Sequence, residues 1–184
     1  MDWIEQIRRY TPKNEQEQAD QQLMLQLAST QPLLTRDNLL AHMTCSGFIM
    51  NAARDHVLFI HHNIYNAWGW TGGHADGDAN FLRVAMREAV EETGVTAITP
   101  ISEKIVSLEI LPVAGHMKRG QYVSSHVHLN VTFALQAPED AALVVRPDEN
   151  SAVAWIPVAD IDTVVNEDSM IPIYKKIIHA IHTL

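Results

Sequence analysis

The pattern of apolar and polar positions changes character near residue 45. Before it the chain is rich in Gln, Glu and Leu. Two short helices are expected there, with Thr11-Pro12 placed as N-cap and first helical residue. From Cys45 the apolar positions gather into β-type runs, CSGFIM and then HVLFIHH, with residues 51–55 as a hairpin connection. Residues 80–93 carry Leu82, Met86 and Ala89 at helical spacing, with Asp78 or Asn80 available as N-cap and Gly94 as the stop. A strand is expected over roughly residues 105–111. The segment HVHLNVTFALQ then alternates Val127, Leu129, Val131, Phe133 and Leu135 with His126, His128, Asn130 and Thr132, which predicts one core face and one wet face. A last strand holds residues 153–156, and PIYKKIIHAIHTL puts Ile173, Ile177 and Ile181 on one helical stripe behind Pro172. Strands interleaved with two well-spaced helices predict an α/β sandwich, a mixed sheet covered on both faces. Residues 1–44 are expected to form a helical extension and residues 45–184 the main domain.

At 184 residues and 47% hydrophobic, the chain is long enough for one sizeable core. A formal net charge of -9 argues against a general binder of nucleic acid or anionic membranes. Basic residues pair at Arg8-Arg9, Lys118-Arg119 and Lys175-Lys176, and such pairs are usually solvated surface. The single cysteine, Cys45, has no partner for an intramolecular disulfide and is expected to be a buried small hydrophobe. Asp2 and Glu5 spoil a signal-peptide start, and no apolar stretch approaches the ~20 residues needed to cross a bilayer. The expected setting is cytoplasmic.

The stretch GGHADGDANFLRVAMREAVEETGV holds the chemistry. Glu88, Glu91 and Glu92 sit at i, i+3 and i+4, stacked at the end of a helix where the backbone dipole already favours cations. Two readings stay open on spacing alone. One is a solvated acidic face on which Arg87 pairs with Glu91. The other is a site for a hard divalent ion, Mg²⁺ or Mn²⁺, which binds a few carboxylates together with substrate phosphates.

This stretch resembles the signature of the Nudix hydrolase family, Gly-x5-Glu-x7-Arg-Glu-U-x-Glu-Glu-x-Gly-U, where U is bulky and apolar. Gly73 matches the opening glycine, Arg87 and Glu88 the Arg-Glu pair, Glu91 and Glu92 the double acid, and Gly94 and Val95 the close. Ala79 stands where the first Glu belongs, and Ala89 is small for its position. Asp76 and Asp78 lie in the same loop and could replace the missing acid, or serve as turn residue and helix cap. The resemblance implies a Nudix-type α/β/α sandwich with a mixed sheet and an N-terminal helical extension outside the shared core. It also implies divalent-metal-dependent cleavage of a phosphoanhydride bond in a nucleoside diphosphate linked to another moiety. By resemblance Glu91 and Glu92 ligate Mg²⁺ or Mn²⁺, Glu88 ligates or acts as base, and Arg87 orients the carboxylates. Glu149, in the loop RPDENSAV, matches a region where some members place a further acid.

Glycines 72 and 73 let the backbone approach closely. His126 and His128 share a strand face, and Lys118-Arg119 occupies the preceding loop GHMKRG, so the four could contact phosphates. The two histidines also fit a transition-metal site or plain surface. Trp68 and Trp70 could stack on a base or serve as buried structure. Pro112 is a weak pointer to ADP-ribose-type substrates. The 44 N-terminal residues could cap the cleft or build a homodimer. Rival readings are a Nudix domain that binds a nucleotide without turning it over, and an enzyme like isopentenyl-diphosphate isomerase. The latter uses a cysteine in the turn before its His, where this chain has Gly73 and His74.

Overall fold

All ten residues of β1 (Ala41–Met50) are buried, because the strand runs through the middle of the sheet and packs on both faces. The computed structural model describes residues 2–118 and 120–184, apart from the side chain of Lys118. Two helices, α1 (Trp3–Arg9) and α2 (Glu15–Ala28), precede β1. After it come β2 (His56–His62), β3 (Ala67–Gly69), β4 (Thr71–His74) and α3 (Phe81–Thr93). Then follow β5 (Thr99–Val113), β6 (His116–Lys118), β7 (Gln121–Val123), β8 (His126–Gln136) and β9 (Asn150–Pro157). A 3-10 turn (Val158–Asp160) leads to α4 (Ile161–Val164) and α5 (Ile171–His182).

The main sheet has the order β3-β2-β1-β8-β5, with β4 also pairing β1 and β9 pairing β2, while β6 and β7 form a separate hairpin. Its centre is parallel: β1 and β8 pair from Ala41↔Val127 to Met50↔Gln136. The sheet is therefore mixed. One face packs Met43, Cys45, Leu129, Val131 and Phe133 against α3, with Ile7 and Met24 from the N-terminal helices in the same core. The other face packs Phe48, Met50, Val57 and Phe59 against Tyr174, Ile177 and Ile181 of α5. The expected sandwich with helices on both faces is what forms. The hairpin at residues 51–55 also forms, held by Asn51 Oδ1, which accepts the N–H groups of Asp55 and His56 at 3.0 and 3.2 Å.

Three local expectations need correction. The N-cap of α2 is Asn14, whose side chain accepts the Glu17 N–H at 2.8 Å, and Thr11-Pro12 lies in the connection before it. β1 starts at Ala41, four residues before the expected strand, since His42 and Thr44 continue the alternation with polar side chains. The face of β8 expected to be wet is mostly buried: Asn130 and Thr132 are fully enclosed and His126 is nearly so. Thr44 and Ser46 both donate to Asn130 Oδ1, at 3.0 and 2.9 Å, and Asn130 Nδ2 donates to Thr132 at 3.1 Å. Polar groups can be buried there because they satisfy each other.

The extension closes the open edge of the sheet. Gln16 donates to the Leu108 carbonyl at 3.4 Å, Lys13 to the Val106 carbonyl at 2.6 Å, and the Ile110 N–H donates to Asp20 at 2.9 Å. Side chains thus replace the neighbouring strand that β5 lacks. Behind this edge Lys176 of α5 bridges two buried carboxylates, Glu17 at 2.7 Å and Glu109 at 2.8 Å. The expectation that basic pairs are solvated surface holds for Arg8 and Arg9, which pair with Glu5, and fails for Lys176. Burial pushes the Glu109 carboxyl up. At Glu17 burial acts in the same direction but is outweighed by Lys176, the Lys13 N–H and the Tyr10 hydroxyl, so its pKa falls. Lys176→Met strands both acids in the interior. It is expected to cost about 3–5 kcal/mol at neutral pH, with the loss shrinking as pH falls and the two carboxyls take up protons. Denaturant unfolding across pH checks this; wild-type stability at neutral pH would refute the bridge.

Candidate active site

Helix α3 begins at Asn80, whose side chain accepts the Arg83 N–H at 3.1 Å, and ends at Gly94 in the left-handed region at φ 74°. Asn80, rather than Asp78, is the N-cap. The last carbonyls of the helix are all met. Gly94 N–H donates to Val90 O at 2.9 Å and Val144 N–H to Thr93 O at 2.8 Å. Arg146 Nε donates to Glu91 O at 2.7 Å and Asn150 Nδ2 to Glu92 O at 3.0 Å. The loop of residues 144–150 therefore lies over the carboxyl end of α3. This is how a helix ending in acids is tolerated: donors from another segment occupy the carbonyls that Lys or Arg of the last turn would otherwise serve.

Strand β4 lies along the same end. Gly72 N–H donates to Glu92 Oε2 at 2.9 Å. Gly73 leaves the space that the Glu88 carboxyl group fills, and a Cβ there would overlap it. A Cβ on Gly72 would instead strike Ser46, at 2.7 Å from its hydroxyl. Gly72 is thus required by close approach to backbone, and Gly73 leaves room for the Glu88 carboxyl. Arg87 pairs with Glu88 at 2.7 Å, rather than with Glu91.

The three acids differ in environment. Glu92 is 4% exposed, Glu88 half-buried and Glu91 exposed. Burial first, then the charges of Glu88, Glu149 and Glu91, push Glu92 up to about 8, against the hydrogen bond from Gly72. Burial also raises Glu88, opposed by Arg87 and reinforced by Glu91 and Glu149. Glu149 is exposed in the capping loop and close enough to act on both. The charges of Glu88, Glu91 and Glu149 thus all act on Glu92, with the Arg87 guanidinium on Glu88, an excess of negative charge that a hard divalent cation would neutralise.

Asp76 and Asp78 are already engaged. Arg36 holds Asp76 through two hydrogen bonds at 2.8 Å, and Arg83 holds Asp78 at 2.8 and 2.9 Å. Ala79 lies beside Asp78, before the start of α3, at the opposite end of the helix from Glu91 and Glu92.

The remaining expected residues separate into groups. Arg119 and the Lys118 side chain lie outside the described residues. Trp70 packs its ring edge against buried Tyr174 at 5.2 Å, and Trp68 meets His61 at 5.3 Å. Pro112 sits in β5 opposite Val127. Cys45 is buried in the core under α3, with its thiol pushed well up by burial, which removes it as a counterpart of the isomerase cysteine. His126 and His128 come together with His42, which the sequence did not single out, and with His74, which it did not link to them. The signal that could have found them is strand register: His42 faces His128 across β1 and β8, and His74 is opposite Thr44 across β4 and β1. Burial holds the His42 imidazole below its ordinary pKa.

The architecture and this carboxylate end define a class. The NUDIX domain family model matches residues 41–181. Solved structures of similar fold include a Caenorhabditis elegans Ap4A hydrolase binary complex, 15% identical with a TM-score of 0.57, covering 77% of this chain and 98% of that one. A NUDIX-family hydrolase from Clostridium perfringens is 20% identical with a TM-score of 0.53, covering 75% and 96%. The Nudix hydrolase RenU of M. smegmatis is 14% identical with a TM-score of 0.58, covering 78% and 87%. No curated protein matches. The chain belongs to the NUDIX family, and it is an enzyme of the Nudix pyrophosphohydrolase type.

The raised Glu92 pKa has a sign that can be measured in metal-free protein. An acid whose folded pKa is about 8 against an ordinary 4.5 adds stability that is complete below 4.5 and lost as pH rises toward 8. Glu92→Gln removes the titration and keeps an acceptor for Gly72. The variant should melt higher than wild type near pH 8, by about 2–4 °C for each kcal/mol recovered, and the gain should vanish near pH 4.5. A gain independent of pH would contradict the burial of a charged Glu92.

Proposed function

We propose that the chain is a divalent-metal-dependent hydrolase that cleaves a phosphoanhydride bond in a nucleoside diphosphate linked to another moiety. The observation that carries this is Glu92, buried at the capped end of α3 and held by the Gly72 N–H, with Glu88, Glu91 and Glu149 near enough for their charges to act on it. In this reading Glu88, Glu91 and Glu92 would hold Mg²⁺ or Mn²⁺. Such an ion would neutralise phosphate charge and lower the pKa of an attacking water.

The chain's own residues supply the rest. Gly72 fixes the Glu92 carboxylate through its N–H, and Arg87 fixes Glu88, so that little reorientation is needed when substrate arrives. Glu149, exposed on its loop, is the proposed base that takes the proton from water, with Glu88 as the other carboxylate suited to that role. Lys118 and Arg119 are proposed to contact the substrate phosphates. The substrate is taken to be a small nucleotide derivative rather than nucleic acid, in keeping with the net charge of -9. The proposed setting is the cytoplasm; no helix among the described residues is long and apolar enough to cross a membrane. The first 44 residues are proposed as an extension of the main domain.

The test is a panel of dinucleoside polyphosphates, nucleotide sugars and nucleoside triphosphates with Mg²⁺ or Mn²⁺. The dinucleotides come first because one structure of similar fold is an Ap4A hydrolase. Turnover of at least one compound, abolished by chelator and by Glu92→Gln with the fold retained, is expected. Binding without turnover across the panel would replace the hydrolase reading by that of a nucleotide-binding module. Gly73→Ala, which displaces the Glu88 carboxylate, is expected to lower kcat/KM by about a hundredfold without unfolding the protein. An unaltered rate would remove Glu88 from the chemistry.

A further inference from the structure

On β4, Gly73 turns toward Glu88 and α3, and the next residue, His74, turns to the opposite face of the sheet. There its ring centroid lies 5.0 Å from that of His42 and 5.0 Å from that of His128. One nitrogen from each of His42, His74 and His128 falls within 4.8 Å of the others. His126 adjoins them, with its Nε2 3.3 Å from His128 Nε2.

Two of these rings have their tautomers set by the backbone. His42 Nδ1 is 3.1 Å from the Asn38 carbonyl, and His126 Nδ1 is 2.8 Å from the Ser124 carbonyl. A carbonyl oxygen only accepts, so each Nδ1 carries a proton and the lone pair of the neutral ring is on Nε2, which in His126 accepts a hydrogen bond from His128 Nε2. The Nε2 of His42 is buried and has no hydrogen-bond partner among the described residues, although the residue is 95% enclosed by the fold. A buried acceptor without a partner is costly and calls for an occupant. A carbonyl holding Nδ1–H while Nε2 points into a cluster is the outer arrangement that metal-binding histidines adopt.

The geometry points to a transition-metal site: we propose that His42, His74 and His128 bind a zinc-class divalent ion through imidazole nitrogens, with His126 as fourth donor. For a tetrahedral ion with metal–nitrogen bonds of about 2.0–2.1 Å, ligand nitrogens stand about 3.3–3.4 Å apart. The 3.3 Å separation of His126 and His128 already has this value. The other three lie within 4.8 Å of one another and would draw together by about 1.4 Å around such an ion. Imidazole donors select Zn²⁺, Co²⁺ or Ni²⁺, whereas the all-carboxylate end of α3 suits Mg²⁺ or Mn²⁺. Two chemically distinct sites thus share β4, one on each face. The histidine ion would tie the loop that follows β4 to the paired strands β1 and β8.

The test uses untagged full-length protein stripped of metal and titrated with Zn²⁺ against a chromophoric chelator, and with Co²⁺ by visible absorption. About one equivalent of Zn²⁺ per chain is expected, with a tetrahedral Co²⁺ spectrum and shifts in the side-chain ¹⁵N signals of the named histidines. His128→Asn and His74→Gln should each weaken Zn²⁺ binding by about a hundredfold or more. Glu92→Gln should leave it unchanged, which separates this site from the proposed hydrolytic one. Far-UV circular dichroism of the metal-free variants controls for folding, and the wild-type ¹⁵N shifts stand whether or not a variant folds. The proposal is overturned by a wild type that takes up no stoichiometric Zn²⁺, by histidine variants that bind as tightly, or by binding lost in Glu92→Gln and kept in the histidine variants.

Discussion

The close approach of β4 to the carboxyl end of α3 is the constraint from which the site follows. A side chain at Gly72 would strike Ser46 and the Cys45 carbonyl, and one at Gly73 would displace the Glu88 carboxyl. With the strand this near, a backbone N–H reaches Glu92, and a carboxylate that would otherwise sit in water is enclosed. Enclosure then governs the electrostatics. One hydrogen bond does not compensate for lost solvation and three neighbouring acids, so Glu92 holds its proton to about pH 8 in the absence of a cation. The arrangement is unfavourable by itself and becomes favourable with positive charge, which is what the proposed metal site requires.

That constraint depends on the rest of the fold. The loop at residues 144–150 donates Arg146 and Asn150 to the last carbonyls of α3, so the helix can end in acids instead of lysines. The same loop carries Glu149 toward Glu88 and Glu92. Farther away, α2 replaces the missing strand at the edge of β5, and Lys176 joins α5 to both through Glu17 and Glu109. Breaking a buried bridge of this type removes more stability than forming it adds, so it specifies which elements meet more than it strengthens them.

The parts of the fold set by local pattern were legible in the sequence. The period of Leu82, Met86 and Ala89 and the stop at Gly94 give α3 almost to the residue, and the alternation in HVHLNVTFALQ gives the whole of β8. What alternation does not encode is whether the polar face of a strand meets water or other polar groups. Asn130 and Thr132 look solvated in one dimension and are enclosed in three, because Thr44 and Ser46 of β1, more than eighty residues earlier, donate to Asn130, which in turn donates to Thr132. The same limit hid His42 and Lys176. A polar residue at the start of a buried strand marks a boundary when read locally, and a lysine beside another lysine marks a surface. The three glutamates were legible as a group through their spacing. Their unequal burial was not, since it depends on β4 and on the returning loop.

The polar face of the sheet also bears on how the two ends of β1 divide their work. Toward its carboxyl end the strand presents Phe48 and Met50 to α5, and burial of apolar surface holds the layers together there. Toward its amino end the same face presents His42, Thr44 and Ser46, which offer no comparable hydrophobic gain. Hydrogen bonding through Asn130 accounts for Thr44 and Ser46, and the Asn38 carbonyl accounts for one nitrogen of His42. The other nitrogen is left over. In a strand where every residue is buried and its polar neighbours are satisfied, His42 keeps one acceptor unmet among the described residues while its ring lies beside those of His74, His126 and His128, and the proposed zinc-class ion would meet it with the donors already on that face.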